Sequence, residues 1–407
     1  MGESRAKPSV LVFVGVFPPV FEASGPARSV ATLVRRLGDE FEFHIVTNAF
    51  ADRPGPPPDE WMDWYGARVI YVSKRRGALR AVFAGLRGTN FDVLYLNSFF
   101  HRRFTWSALA LWALRRIRAR RVVLAPRGEF SPGALGIHPR RKQLGIVAAR
   151  VSLLHRRVEF QASNPHEERD IRAVFGSRSL VVHVAQDLTD HLVGSAATTD
   201  VPLCAESGLR VVFLSRISPK KNLDGAIRSV LHCTERVTLT IAGPAREQAY
   251  WDRCRGLMAD APPHVSIEHV GEVAPDEVVT FLAQADVTFL PTYGENFGHV
   301  VAESLMAGTP VLISDRTPWS DVEGAGAGWV RSPDDHHGFA AVLDGYASSS
   351  EEDRRAHRVA ARALAEERLL SGHAEEAHRR MFRGADVSSE GAGAGPTGGG
   401  DGDHPVR

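Results

Sequence analysis

Short runs of Val, Ile, Leu and Phe alternate with longer amphipathic segments along most of the chain. Most of the short runs lack strict apolar–polar alternation, which is typical of parallel strands covered on both faces. Strands are predicted at Val10–Val16, Phe41–Thr47, Val69–Val72, Val93–Asn97, Val122–Ala125, Val158–Ala162, Leu180–Val184, Leu209–Ser215, Val237–Ala242, Val265–Val270, Val287–Leu290 and Pro310–Ile313. Helices are predicted between them, for example over Ala27–Leu37, Asn222–Cys233 and Phe297–Ala307. This order indicates an α/β fold of open, doubly wound sheets.

The alternation stops between Leu192 and Ser207, where the sequence is rich in small and polar residues. We therefore predict a Rossmann-like domain over residues 1–191, a linker over 192–208 and a second Rossmann-like domain over 209–384, whose last helix is free to pack back on the first domain. Residues 385–407 are rich in Gly and Ser, so they are predicted to be a disordered tail. Ligands of such sheets bind at the carboxyl ends of the strands, so the site is predicted in a cleft between the domains.

The composition is that of a globular protein, with 407 residues, 43% hydrophobic residues and a net charge of +1. This charge does not favour nucleic acid as a partner. Arginine clusters at 115–121 and 140–142 are interpreted as solvated helix faces, with local basic patches as the alternative.

Three cysteines, Cys204, Cys233 and Cys254, form no C-x-x-C pair, so neither a disulfide framework nor a structural zinc site is expected. The apolar run Val10–Val20 contains Pro18-Pro19 and lacks a cleavage site, so it is interpreted as a buried first strand and not as a signal peptide. No stretch is apolar enough over the roughly 18 residues that a membrane span needs. A cytoplasmic location is therefore expected.

The segment Pro291–Trp319 combines a buried strand, a loop and a helix. Glu295 lies in the loop, and the helix is predicted to begin near Phe297 or Gly298, with backbone N–H groups free to bind an anion. Glu303 lies near the edge of the buried helix face. Two carboxylates placed in this way suit a nucleotide sugar, one for the ribose hydroxyls and one for the sugar.

The pattern Glu295-x-Phe297-Gly298-x4-Glu303, followed by Ala307-Gly308-Thr309-Pro310-Val311, resembles the signature of the retaining family-four glycosyltransferases of GT-B fold. The resemblance implies that Glu295 contacts the donor sugar and that Glu303 contacts the ribose.

Asn296 and His299 depart from this signature, since the family usually has a small residue and an apolar residue there. We expect both to lie beside the donor sugar and, together with Phe297 and Gly298, to belong to the donor-binding set.

A second cluster, FLSRISPKKN at Phe213–Asn222, places Arg216 and Lys221 between a strand and a helix start. Two cations at a helix N-terminus are unfavourable on dipole grounds, but they suit a bound diphosphate. The segment resembles the R-x4-K element of the same family, which implies that Arg216 and Lys221 hold the donor diphosphate. Lys220 is expected to lie outside this element.

The N-terminal loop before the first helix contains Gly25 and Arg28. It resembles the family's glycine-containing loop that approaches the donor phosphates, although Ser24-Gly25 replaces the usual Gly-Gly pair. Gly25 is assigned to the donor, and Arg28 to a phosphate or the acceptor.

Three further residues follow strand ends and are predicted on the acceptor side: Asn97, Arg127 and Glu129. Arg127 stands where many family members have a histidine, within a P-R-G-x-x-S-P run that is similar to a subset of bacterial members. Gln186-Asp187 replaces the Pro-Asn pair that usually enters the second domain, so the hinge is expected to differ.

The resemblance implies a hexosyltransferase-type enzyme that moves a sugar from a UDP- or GDP-sugar to a hydroxyl with retention of anomeric configuration. Glu295, Arg216 and Lys221 form the predicted catalytic set, and neither a metal nor a separate cofactor is expected. Saccharides, lipid-linked saccharides and natural products are candidate acceptors, and a peripheral membrane position stays open.

Four alternatives remain at this point: a non-catalytic sugar-nucleotide-binding protein, an inverting GT-B enzyme, a sugar-nucleotide epimerase, and a nicotinamide dehydrogenase. The dehydrogenase is disfavoured because the chain lacks the G-x-G-x-x-G fingerprint in its first loop.

Overall fold

A computed structural model describes residues 6–19, 25–50, 56–136, 139–176, 180–189 and 208–384. Most of the predicted linker and the whole predicted tail lie outside these residues, as does Cys204. Two separate sheets run through the described part of the chain, one before and one after the predicted linker. This architecture confirms the predicted pair of α/β domains.

The N-terminal sheet has the strand order β3-β4-β2-β1-β5-β6-β7-β8. Its neighbours pair in parallel, except that β3 runs antiparallel to β4 at the edge. The strands are β1 Ser9–Phe13, β2 Glu42–Asn48, β3 Trp61–Trp64, β4 Ala67–Val72, β5 Asn90–Asn97, β6 Arg118–Ala125, β7 Glu159–Ala162 and β8 Val182–Val184. Their helices are α1 Gly25–Leu37, α2 Ala78–Gly85, α3 Ser107–Ala113, α4 Pro132–Gly136, α5 Pro139–Val151 and α6 Pro165–Phe175, with a π-helical turn at Arg102–Trp106 and a 3-10 turn at Leu154–Arg156.

The C-terminal sheet is parallel throughout, in the order β11-β10-β9-β12-β13-β14. Its strands are β9 Leu209–Leu214, β10 Val237–Ala242, β11 Val265–Gly271, β12 Val287–Leu290, β13 Val311–Ser314 and β14 Gly328–Arg331. The helices that follow α6 are α7 Leu223–Leu231, α8 Gln248–Met258, α9 Val278–Ala283, α10 His299–Met306, α11 His336–Ala347, α12 Glu351–Leu369 and α13 His373–Arg383, with 3-10 turns at Pro219–Lys221 and Ser320–Val322.

All twelve predicted strands are present, and their ends differ from the predicted ends by at most four residues. Two strands were missed. The edge strand β3 (WMDW) is half-exposed and antiparallel, and β14 (GWVR) is short, so neither carries the apolar run by which buried parallel strands are found. The helix predicted from Phe297 or Gly298 begins instead at His299, because Gly298 adopts a left-handed conformation with φ +80°.

The last helix, α13, packs on the first domain. Phe382 lies among the aromatic rings of Phe41, Phe43 and Tyr95, with ring centroids 5.5, 6.1 and 5.4 Å away. Arg379 Nε reaches the Glu40 carboxylate at 2.7 Å. The helix thus covers, together with α1, one face of the N-terminal sheet, over side chains of β2 and β5.

Candidate functional site

A cavity of about 260 Å³ lies between the two domains. The first domain lines it with residues from α1 and from the segments after β6 and β8, and the second domain lines it with the loops after β9, β10 and β12 and with the start of α10. These are carboxyl ends of parallel strands, which is the predicted place for a ligand. Eleven predicted site residues line it: Gly25, Arg28, Arg127, Arg216, Lys221, Glu295, Asn296, Phe297, Gly298, His299 and Glu303.

The loop from Glu295 to Gly298 is held by a buried tryptophan. The indole Nε1 of Trp319 donates to the carbonyl oxygen of Phe297 at 2.5 Å. A Cβ atom on Gly298 would lie 3.2 Å from the same Nε1, and the backbone at Gly298 has positive φ. Glycine is therefore favoured here by its conformation and by the close approach of the indole. Trp319 was not predicted as a site residue, because spacing along the chain does not reveal which carbonyl an indole reaches.

A second loop is tied to the first by an asparagine. Asn222 has φ +59° and precedes α7, and its side-chain amide donates to the carbonyl oxygens of Pro291 at 2.9 Å and Pro333 at 3.0 Å. The turn that carries Arg216 and Lys221 is thereby fixed to the end of β12, from which the Glu295 loop starts.

Lys221 and Glu295 form an ion pair at the centre of the cavity. Arg216 and Lys220 also line the cavity, and neither makes an ion pair with any of the described residues. Lys220 was expected to lie outside the R-x4-K element, and it lines the cavity beside that element. The 3-10 turn at Pro219–Lys221 brings both lysines to the cavity, and burial lowers the pKa of Lys220.

Glu303 is paired across the cleft with a cation of the first domain. Its Oε1 lies 2.5 Å from Nη1 of Arg28, whose helix begins at Gly25. Arg28 was assigned to a phosphate or the acceptor, and the structure places it against the carboxylate that was assigned to the ribose. Both side chains are about one-fifth to one-quarter exposed.

His299, the first residue of α10, lies beside α1. Its Nε2 is 3.3 Å from the hydroxyl of Ser29, and a Cβ atom on Gly25 would lie 3.6 Å from its ring. Burial lowers the pKa of His299 to about 4, so the ring is neutral near pH 7. A neutral ring adds a hydrogen-bonding edge to the cavity without adding charge.

Arg127 is buried in a polar network and does not project freely into the cleft. Its guanidinium forms an ion pair with Asp187 and donates to Oδ1 of Asn97 at 2.9 Å and to the Tyr95 hydroxyl at 2.8 Å. Ser29 donates to the second oxygen of Asp187 at 2.8 Å. Burial by itself would raise the pKa of Asp187, but the Arg127 guanidinium, together with His299 and the Ser29 hydroxyl, holds this pKa below its usual value.

Asn97 and Glu129 stand behind the cavity and do not line it. Asn97 accepts from Arg127, and the Glu129 carboxylate accepts from the backbone N–H of Phe99 at 2.6 Å and of Phe100 at 3.1 Å. Both side chains therefore hold neighbouring elements in place in this structure, and that they belong to the acceptor side stays a prediction.

Asn296 joins the two domains. Its side-chain amide nitrogen donates to the Ser163 hydroxyl at 2.9 Å, and its backbone carbonyl oxygen accepts from the side-chain amide of Asn164. A Cβ atom on Gly128 would come within 3.0 Å of the Asn296 Cβ atom, so the backbone of the first domain approaches closely at this point. Asn296 therefore faces the other domain as well as the cavity.

The described residues contain no group of three His, Cys, Asp or Glu side chains arranged to hold a metal ion. In the same parts of the chain, no helix has the length and apolar character needed to cross a bilayer. That sugar transfer needs no metal stays a prediction.

Residues 201–363 match the family described as Glycosyl transferases group 1. Over 117 residues the chain is 31% identical to the D-inositol 3-phosphate glycosyltransferase of Acidothermus cellulolyticus, an alignment that covers 26% of each protein. It is 23% identical to the protein of the same name from Mycolicibacterium vanbaalenii over 307 residues, or 68% of this chain and 66% of that one. These alignments span less than two thirds of the relatives' own length.

The crystal structure of HepE from Anabaena in complex with UDP and glucose has the same fold, with a TM-score of 0.72 at 16% identity. The superposition covers 92% of this chain and 98% of that one. The GT-B fold predicted from the sequence is thereby confirmed.

Proposed function

We propose that this chain, whose residues 201–363 match the group 1 glycosyltransferases and which has the GT-B fold, transfers a sugar from a nucleotide-sugar donor to an acceptor hydroxyl with retention of configuration. One observation carries the proposal. The cavity between the domains is lined by two carboxylates on one loop and helix, Glu295 and Glu303, and faces the cations Arg216, Lys220 and Lys221. A nucleoside diphosphate sugar offers a group of matching charge or polarity for each of them.

The donor diphosphate is assigned to the cation cluster and to the N-terminus of α10. Arg216 and Lys220 are without ion-pair partners among the described residues, so they are available to an anion. The first backbone N–H groups of α10, which follow Gly298, add the positive end of a helix dipole. A diphosphate bound at the start of α10 would be held in the same way as anions at other helix N-termini.

The nucleoside is assigned to the part of the cavity that is lined by Gly243, Pro244, Glu272 and Val273. The ribose then lies near Glu303, and the sugar lies near Glu295 and His299. UDP is the first nucleotide to test, because the structurally similar HepE was crystallised with UDP and glucose.

The Lys221–Glu295 ion pair allows both side chains to change partners when a donor binds. Glu295 neutralises Lys221 through this pair and holds it in the cavity. A bound diphosphate competes for the lysine, which leaves the carboxylate to accept hydrogen bonds from the sugar hydroxyls. Negative charge then grows on the leaving diphosphate during transfer, and the cations stabilise it in a partly water-excluded cleft.

The acceptor is proposed to be a hydroxyl compound that enters on the side of the first domain. The leaving phosphate oxygen takes its proton, so no separate protein base is assigned. Because relatives are named for D-inositol 3-phosphate, phosphorylated polyols belong in the first acceptor screen, beside saccharides and lipid-linked saccharides.

Donor binding is tested by the shift in melting temperature on adding UDP, GDP and their sugars, since a ligand that binds the native state stabilises it. A UDP- or GDP-sugar is expected to raise the melting temperature of the wild type, and transfer or slow hydrolysis is then followed by release of nucleoside diphosphate. Glu295→Ala and Lys221→Ala are each expected to reduce turnover by about a hundred-fold or more, because each removes a contact to the reacting part of the donor.

Glu366→Ala and Lys7→Ala serve as matched controls, because both side chains are exposed and lie away from the cleft. Full turnover in either cleft variant would overturn the site assignment. Donor binding without transfer or hydrolysis in the wild type would identify a sugar-nucleotide-binding protein instead.

A further inference from the structure

Positive charge is concentrated in one part of the first domain. Between Val93 and Val158 the chain has 14 Arg and Lys residues and one acidic residue, Glu129, whereas the rest of the chain has 35 basic and 47 acidic residues. Glu129 is engaged by backbone N–H groups and does not neutralise the surface. Three of these cations, Arg120, Arg121 and Arg127, pair with Asp92, Glu159 and Asp187 from outside the segment. The other eleven form no ion pair with the described residues, so this part of the chain is strongly basic although the net charge of the whole chain is +1.

Helix α5 lies in this basic part and is apolar on two opposite faces. Ile146 and Ala149 are buried against the core of the first domain. Leu144, Val147 and Val151 follow i, i+3, i+7 spacing and are 71%, 52% and 78% exposed. At about 100° per residue, this second stripe points almost directly away from the core.

The apolar stripe continues onto neighbouring segments. Leu153 follows α5 and is 48% exposed, and Leu114 follows α3 and is 69% exposed. Arg157 stacks on the Trp112 ring at 5.0 Å, which brings the ends of α5 and α3 together. Among the described residues, five of the eleven large exposed apolar side chains lie between positions 114 and 153.

Basic side chains surround this stripe. Arg140 and Arg141 begin α5, Arg156 and Arg157 follow it, and Arg115 and Arg116 follow α3. All six are exposed, and none has an acidic partner among the described residues. We name these six arginines and the five exposed apolar residues the basic apolar face.

We propose that the basic apolar face binds the surface of a membrane that contains anionic lipids. Arginines attract the lipid head groups, while Leu144, Val147 and Val151 insert at the boundary of head groups and acyl chains. A nucleic acid would match the arginines but would leave the aliphatic stripe in water. A second copy of this chain would have to offer an acidic surface that matches the six arginines, and the net charge of +1 gives no sign of one. An anionic bilayer accommodates both features.

The position of α5 places the membrane beside the cleft. The helix follows β6, whose carboxyl end faces the cavity, and Lys142 near its start donates to Ala134 at 2.6 Å. The Arg140 end of α5 therefore lies on the cleft side of the domain, so a membrane on this face would lie near the acceptor entrance. The binding proposal itself does not depend on the reaction that the cleft performs.

The test is co-sedimentation of the full chain with large vesicles of phosphatidylcholine alone or with about one third phosphatidylglycerol. Wild type is expected to bind the anionic vesicles and not the neutral ones. The triple variant Arg140→Gln/Arg141→Gln/Arg156→Gln is expected to bind roughly a hundred-fold more weakly, and Leu144→Ser/Val147→Ser/Val151→Ser at least about ten-fold more weakly.

Matched controls remove exposed side chains of the same kinds from the second domain: Val270→Ser/Val359→Ser and Arg255→Gln/Arg380→Gln. These should bind like the wild type, and all variants should keep the wild-type melting temperature because the changed side chains are exposed.

Equal binding by the face variants and the controls would overturn the proposal. So would a concentration-dependent dimer in sedimentation velocity that the Leu144/Val147/Val151 variant abolishes, because the stripe would then be a contact between copies. Tighter binding to double-stranded DNA than to anionic vesicles at equal salt would also reject it.

Discussion

At the residue scale, the ion pair of Arg127 and Asp187 shows how the first domain tolerates charge in its interior. The two side chains are 6% and 5% exposed, so each loses most of its hydration. Burial of this kind is compensated only when the remaining donors and acceptors are satisfied. Asn97, Tyr95 and Ser29 supply those contacts.

The same network reaches α13 through a second buried histidine. Gln161 accepts from the Tyr95 hydroxyl and lies 3.3 Å from Nε2 of His378, while Nδ1 of His378 lies 2.8 Å from the carbonyl oxygen of Ala374. These contacts assign the neutral tautomer with the proton on Nδ1. A proton on Nε2 would face the Gln161 amide, which is itself a donor. Burial lowers the pKa of His378 to about 4.

This pKa predicts acid sensitivity. Between pH 6.5 and 4 the unfolded chain binds a proton at His378 that the folded chain excludes, so stability is complete above pH 6.5 and falls as the pH approaches 4. The contribution is at most about 3 kcal/mol. His378→Gln keeps an acceptor toward Gln161 without titrating, so its melting temperature is expected to fall less than that of the wild type over this range.

His373→Gln is the control, since His373 lies on the same helix and is exposed. A wild-type slope of melting temperature against pH that persists in His378→Gln would show that other groups cause the acid sensitivity.

At the element scale, the loops after β9 and β12 are held in place by Asn222 and Trp319. The sequence predicted both loops, since each follows a strong apolar strand and precedes an amphipathic helix. The sequence also predicted that Arg216, Lys221 and Glu295 in these loops belong to the site. It did not predict that Asn222 would reach Pro291 or that Trp319 would hold Phe297, because these contacts join residues 69 and 22 positions apart.

The contacts that the first domain contributes to the cleft were harder to predict from the sequence. Arg127 was expected to face an acceptor, and its partner Asp187 was noticed only as an unusual hinge residue. Their pairing depends on the parallel arrangement of β6, β7 and β8, because Arg127 follows β6 and Asp187 follows β8, and these strand ends are far apart in sequence. Strand and helix positions follow from periodicity, whereas the pairing of particular polar side chains follows from tertiary packing.

The left-handed conformation of Gly298, just before α10, predicts that a side chain at this position is unfavourable. Gly298→Ala is expected to cost about 1–2 kcal/mol, because alanine is unfavourable at positive φ. It should also displace the loop, because the new Cβ atom would lie 3.2 Å from Nε1 of Trp319. We therefore expect the variant to lose the nucleotide-dependent shift in melting temperature.

Gly326→Ala provides the matched comparison. Gly326 also has positive φ, at +68°, but its added Cβ atom would be 3.8 Å from the nearest atom. It should lose similar stability and retain the nucleotide-dependent shift. If both variants respond equally to nucleotide, the close approach of the added Cβ atom to Trp319 does not control the donor loop.

At the scale of the whole molecule, the two domains meet across the cleft through a small set of polar contacts. Arg28 pairs with Glu303, Ser29 approaches His299, and Asn296 bonds to Ser163. Such contacts are weak enough to be exchanged when a ligand enters. We therefore expect domain closure to depend on how closely the two backbones can approach each other where they are nearest.

Gly128 lies at that approach, so its substitution is expected to affect closure. In Gly128→Ala the new Cβ atom would lie within 3.0 Å of the Asn296 Cβ atom. We expect a larger radius of gyration by small-angle scattering and a kcat/KM reduced by about ten-fold, since misalignment of the two domains weakens transition-state contacts.

The double variant Gly128→Ala/Asn296→Gly removes the collision while keeping the positive-φ strain at position 128. It is expected to recover the wild-type radius. A double variant that stays as open as Gly128→Ala would show that backbone strain, and not the contact with Asn296, opens the cleft.

The position of α13 has a consequence for how the protein is made. On the ribosome, β8 emerges about 190 residues before the helix whose Phe382 packs on Phe41 and Tyr95. During that interval this face of the nascent N-terminal sheet is covered by α1 alone, and its packing is completed only after α13 has been made. A separately expressed fragment of residues 1–191 should accordingly aggregate unless residues 373–383 are supplied as a peptide or fused to it.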